Sequence, residues 1–239
     1  WEWDLKRLVT SFVLAGKDNG FPNEVGRDAA VAAAASYRRA MTDMAHLGAM
    51  DVWYYSIDMT RLKTVMPSKA SKKEFDKSLA KARSKTSQRA LGKLTETVDG
   101  KLQIRNDPPL LERLTDLSKK VPQSDTDDLN QAVRGSFAQY AASLSDSRRE
   151  LLGRFEVVDI ALKVVGVGSV GTRCLIVLLK GVDNGEPLIL QIKEAMSSVL
   201  EDYLPASVYP HHGQRVVEGR RLMQASSDIF LGWSSIQVP

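Results

Sequence analysis

Apolar residues recur at helical spacing from the start of the chain. Leu5, Leu8, Val9, Phe12, Val13 and Leu14 predict a first helix, which Gly16 and Gly20 are expected to end. Residues 23–50 carry an Ala-rich pattern with Tyr37, Met41 and Met44, which predicts a long helix whose small side chains allow close packing. Residues 51–57 read as an aromatic connector or short helix. A further helix is expected over 71–94 and a short strand over 101–105, and Pro108-Pro109 marks a sharp boundary. Residues 124–155 predict one long helix or a broken pair, with Asp125 and Asp127 suited to the positive end of its dipole.

The pattern then changes. Residues 155–165, 172–179 and 187–193 are β-branched or Leu-rich runs bounded by glycines, and they read as strands. Asp183-Asn184-Gly185 joins the last two as a hairpin turn, because Asn-Gly tolerates the positive φ such a turn needs. Residues 212–225 return to helical periodicity through Val216, Val217, Leu222 and Met223. The expected class is α+β: a helical region, 1–154, followed by a small antiparallel sheet with one flanking helix, 155–239.

Composition narrows the function classes. The chain has 239 residues, 43% hydrophobic and 26% charged, which excludes a disordered or collagen-like polymer. Its most apolar run, 164–182, is interrupted by Arg173 and Lys180, so no membrane span is predicted. Cys174 is the single cysteine and cannot form an internal disulfide, which fits a reducing, cytoplasmic setting. With His46, His211 and His212 it makes too small a set for a usual zinc site, so no metal-ligating residue is expected in this chain. Residue 1 is Trp rather than Met, and the chain is expected to be a fragment.

Chemistry concentrates in the last third. Gly166, Gly168 and Gly171 form G-x-G-x-x-G, with Ser169 inside it. Two phosphate-binding devices share that spacing. In a dinucleotide fold the third glycine opens a helix, whereas in a kinase-like fold the glycines sit in a hairpin and a strand follows. Here an apolar strand is expected to follow, which favours the second device over the first. A glycine-rich turn without a ligand is the plain structural alternative. The strand over 187–193 ends in Lys193, like the strand whose lysine contacts nucleotide phosphates. An edge lysine that reaches solvent is its plain alternative. Glu218, on the following helix, occupies the place of the glutamate that pairs with such a lysine. It is equally placed for an i,i+3 contact with Arg215 or Arg221, and Glu194 and Glu201 are rival partners for Lys193.

These residues also carry a resemblance. Residues 1–8 (Trp-Glu-Trp-Asp-Leu-Lys-Arg-Leu), 163–174 (Lys-Val-Val-Gly-Val-Gly-Ser-Val-Gly-Thr-Arg-Cys), 190–195 and 212–233 are similar to the bacterial family called domain of unknown function 2252. The likeness covers essentially the whole chain. It implies a distant, permuted relative of protein kinases and aminoglycoside phosphotransferases. ATP with magnesium would then be the cofactor, and a nucleotide and an unknown phosphate acceptor would be the partners. Gly166, Gly168, Ser169, Gly171, Lys193 and Glu218 would hold the nucleotide. Asp4 would support a catalytic loop, although a carboxylate at a helix start is equally at home there. The segments resembling the catalytic loop and the metal-binding aspartate precede Trp1 in this family. No catalytic residue and no magnesium ligand is therefore expected in this chain, and little catalysis.

Charge supplies the competing reading. The formal charge is +4, but eleven basic residues between Arg61 and Lys93 face only Glu74 and Asp76, a local +9 that leaves −5 on the remainder. A solvated helix face explains this, as does a surface for an anionic partner. Only Phe75 interleaves the cations, which argues against single-stranded nucleic acid held by stacking, so a nucleic-acid partner is not expected. The alternative function is a non-catalytic binding protein that uses the glycine loop and the basic helix.

Overall fold

A computed structural model describes the chain apart from residues 1, 57–58, 65, 84–86, 118, 121–122, 167–170 and 237–239. The fold is α+β, with helices and two antiparallel sheets. It divides into two compact units, Trp1–Ile57 and Asp58–Pro239.

The first unit holds α1 (Glu2–Asp18), α2 (Asn23–Met44) and α3 (Ala49–Tyr54). The two glycines expected to stop α1 behave differently. Gly20 takes φ +70°, a conformation that L side chains rarely adopt, and it closes the turn. Gly16 lies inside α1 and is buried. A Cβ there would sit 3.1 Å from the Gly26 Cα, and a Cβ on Gly26 would sit 3.2 Å from the Val13 Cα. Gly16 is therefore not a helix stop but the point where α1 and α2 touch backbone to backbone. The pattern read as one helix over 23–50 ends at Met44, and the aromatic stretch becomes α3.

The second unit starts with α4 (Met59–Thr64), and α5 (Lys69–Arg83) and α6 (Ser87–Leu94) follow where a single helix over 71–94 was expected. Next comes a hairpin of β1 (Thr95–Val98) and β2 (Lys101–Ile104), whose turn residues Asp99 and Gly100 both have positive φ. After β3 (Leu111–Arg113) and α7 (Leu114–Leu117), the residues read as one helix or a broken pair form α8 (Gln123–Ala142) and α9 (Asp146–Leu152). The expected strands follow as β4 (Phe155–Lys163), β5 (Cys174–Gly181) and β6 (Pro187–Lys193). Helix α10 (His212–Met223) comes after a 3-10 turn at Val199–Asp202. Gly185 has φ +71°, as the Asn-Gly turn requires.

Strands β3, β4, β5 and β6 lie side by side, each pair antiparallel. Because β3 precedes residue 155 and pairs with β4, the change from helix to strand at Phe155 falls within the second unit. The sheet is covered on both faces, which explains why β5 is apolar without alternation. On one face Leu175, Val177 and Leu179 join Val133, Leu144 and Leu152 from α8, α9 and their connection. On the other face Ile176 and Leu178 join Leu91, Ile104 and Ala161. The β4–β5 register slips between Val157 and Asp159. At that irregularity the Asp159 carboxylate accepts the N–H groups of Ile104 and Ile160, each at 2.9 Å, and so ties the hairpin to the sheet. Burial raises its pKa above the ordinary 3.8 despite those two donors.

Candidate functional site

One end of the sheet gathers much of the predicted chemistry. The glycine segment follows Lys163 at the end of β4, and β5 begins at Cys174. Gly168 and Ser169 lie outside the described residues, while Gly166 and Gly171 flank them. Gly171 has φ +87°, so a side chain there would be strained. The segment joins two antiparallel strands, and β5 rather than a helix follows Gly171. The dinucleotide arrangement, which needs a helix at that point, is therefore not the one adopted.

Lys193 pairs in register with Cys174, which places it at the same sheet end as the glycine segment. Between these strands the Glu194 N–H donates to the Arg173 carbonyl at 3.0 Å, and the Arg173 N–H donates to Glu194 Oε2 at 2.9 Å. Glu194, a rival partner for Lys193, is thus engaged by the backbone at the start of β5.

Glu218 is placed differently. Its Oε1 accepts from Arg221 Nη1 at 2.8 Å, and Arg221 Nη2 donates to the Leu231 carbonyl at 3.0 Å. Among the described residues Lys193 has no ion pair. Glu218 has its cation on its own helix, in Arg221. Leu188, Leu190 and Ile192 pack on the face covered by α8, whereas Ile189 packs on the opposite face. Lys193 is in step with Ile189, yet at this edge strand it also lines, with Val216 and Val217 of α10, the cleft over Leu190 and Ile192. The structure thus places Lys193 at the sheet end of the glycine segment, while Glu218 pairs with Arg221. Asp4 lies in the first turn of α1, in the first unit, where the helix dipole favours a carboxylate.

The cleft, about 850 Å³, runs between α8, α10 and the β5–β6 edge. One wall is the chain after α10, held to α8 by three bonds. Tyr140 Oη donates to the Phe230 carbonyl at 2.6 Å, the Trp233 N–H donates to Ser143 Oγ at 2.9 Å, and the Ser235 N–H donates to Gln139 Oε1 at 2.8 Å. Gly232 permits this approach, since a Cβ there would stand 2.6 Å from Ser143 Oγ and 2.8 Å from Tyr140 Cε2. Burial, with the Asp228 charge nearby, pushes the Tyr140 hydroxyl up to about 12. Sequence reasoning did not find this wall; its one local signal was a glycine followed by Trp233.

At the start of α10, His211 Nδ1 accepts the Gln214 N–H at 3.2 Å and its Nε2 lies 2.9 Å from Ser235 Oγ. An imidazole that accepts at Nδ1 carries its proton on Nε2 when neutral, so it donates to Ser235 and does not act as a base toward that hydroxyl. The His211 ring also lies 4.6 Å from the Trp233 ring, tilted by 38°, and Gly213 leaves room for the imidazole and the Trp233 Cβ. His211 thus caps the start of α10. Among the described residues no group of three His, Cys, Asp or Glu side chains is arranged to hold a metal. Nor is any described helix long and apolar enough to cross a membrane.

Residues 1–238 match the model of a family described as uncharacterized protein conserved in bacteria (DUF2252), and the chain belongs to that family. No curated protein and no solved structure matches it.

Proposed function

We propose that this DUF2252 family member binds a nucleoside triphosphate at the glycine-bearing end of its four-stranded sheet, as the nucleotide-holding part of a kinase-like phosphotransferase. The observation that carries this reading is the shared location of Gly166, Gly171 and Lys193 at one sheet end, with a strand following the glycines. Backbone near a glycine can approach a phosphate closely because no Cβ intervenes. Lys193 then contributes a point charge to the phosphate oxygens, and its lack of an ion pair with any described residue leaves that charge available. The fit extends to phosphate only. The described acidic residues offer no magnesium cluster, so the chemistry of the metal and of a catalytic base is not assigned to this chain. When bound, ATP with magnesium would supply the transferable phosphoryl group. This chain's part is to orient the phosphates, which is the larger share of the catalytic task in phosphoryl transfer. Glu218 has a different task in this scheme. Through Arg221 it anchors the cleft wall, and it does not fix Lys193.

Isothermal titration with ATP and magnesium tests the reading. Binding is expected, and Lys193→Ala is expected to weaken it at least about tenfold, the loss of one charge-assisted contact. Glu218→Gln is expected to leave the affinity within about twofold. Absence of binding by the unaltered protein, or full retention by Lys193→Ala, overturns it.

A further inference from the structure

The exposed side of α5 presents a cationic row that the nucleotide reading does not use. Lys69, Lys73, Lys77 and Lys81 follow one another at i,i+4 along this helix, and all four are exposed. Such neighbours stand about 5–6 Å apart at Cβ and repel. Compensation is small at Lys77 and its neighbours Lys69 and Lys73. Lys77 meets Glu74 only at 4.0 Å, both side chains being largely in solvent, and Asp76 is taken by Lys63 at 2.7 Å. Arg83 extends the exposed basic surface at the end of the helix.

The same helix turns its apolar residues inward. Phe75 and Leu79 are half-buried, and no large hydrophobic residue of α5 is exposed. A helix that inserts into a bilayer surface needs an open apolar face, and α5 has none to offer. Single-strand binding needs aromatic platforms, and the exposed face has none. What remains is regularly spaced positive charge on a helix about 22 Å long. That suits a rigid polymer of phosphates read through its backbone alone.

We propose that α5 binds the phosphate backbone of double-stranded nucleic acid without regard to sequence, through Lys69, Lys73, Lys77 and Lys81. The aromatic argument made from the sequence bears on single strands, not on a duplex. Contact is made by displacing counterions from the duplex. Four phosphates neutralised give a slope of about −3.6 in log affinity against log salt.

The test is fluorescence anisotropy of a labelled 20-base-pair duplex of arbitrary sequence with the full chain. Between 50 and 200 mM salt, affinity is expected to fall about 100-fold or more. Lys69→Glu/Lys73→Glu/Lys77→Glu should abolish binding at 50 mM salt. The neutral counterpart, Lys69→Gln/Lys73→Gln/Lys77→Gln, should weaken it, with circular dichroism confirming that each variant is folded. Lys17→Glu/Arg38→Glu/Arg39→Glu changes net charge equally at exposed sites of the first unit and should retain most of the binding. Lys193→Ala should bind duplex as the unaltered chain does, which separates this proposal from the nucleotide site. Absence of binding at 50 mM salt, a flat salt response, or equal loss in the α5 and first-unit variants overturns the proposal. So does binding to vesicles of mixed neutral and anionic phospholipid in preference to the duplex.

Discussion

The two compact units bury themselves by different means. In the second unit, β5 has apolar side chains covered on both faces, and Val177 and Leu178 are wholly inaccessible. In the first unit the buried residues among those described are two glycines, Gly16 and Gly26, while Trp53 and Tyr54 stand 74% exposed. One unit is held by a two-sided apolar core, the other by close backbone approach between helices. The first arrangement draws its stability from apolar area removed from water. The second draws it from short-range contact, which is lost steeply as atoms separate.

Substitutions sharpen that contrast. Leu178→Ala should have the largest effect, destabilising the second unit by about 2–5 kcal/mol because the surrounding strands cannot close on the cavity. Urea unfolding followed by strand-sensitive circular dichroism would measure it. Gly26→Val should come next, at about 1–3 kcal/mol, since the new side chain meets the Val13 backbone rather than a movable side-chain tip. Hydrogen exchange should then rise in α1 and α2 while the β5 amides keep their protection. Equal loosening of β5 would show that the units do not respond separately. Trp53→Ser should change stability by less than about 0.5 kcal/mol, because an exposed ring has little burial to lose. A larger loss would mean that the first unit has more apolar packing than its exposure indicates.

Legibility in the sequence followed the same division. Strand β5 was readable because a continuous apolar run between glycines leaves little else to form, and the Asn184-Gly185 turn fixed its partner. Strand β1 was missed because Thr95-Glu96-Thr97-Val98 is short, polar and continuous with a helical pattern. Gly16 was misread because a glycine that stops a helix and one that lets a neighbour approach look alike without the neighbour. That Gly166, Gly171 and Lys193 lie at one sheet end was legible from spacing alone, since all three lie along one hairpin path. The partner of Glu218 was not, because Arg221 competes for it from one turn away. The family assignment, by contrast, was legible, and the match over residues 1–238 bears it out.

The bond from Tyr140 to the Phe230 carbonyl gives the cleft wall an optical signature. A phenol with an ordinary pKa of 10.0 that is held near 12 stays neutral while a free one ionises. The folded form therefore retains a proton that the unfolded chain has released, and wall attachment should weaken as pH climbs from 10 toward 12. In a spectrophotometric alkaline titration, Tyr140→Phe should remove a late phenolate step that the unaltered protein shows. That step reports whether the chain after α10 is seated on α8, with no ligand, label or activity needed to read it.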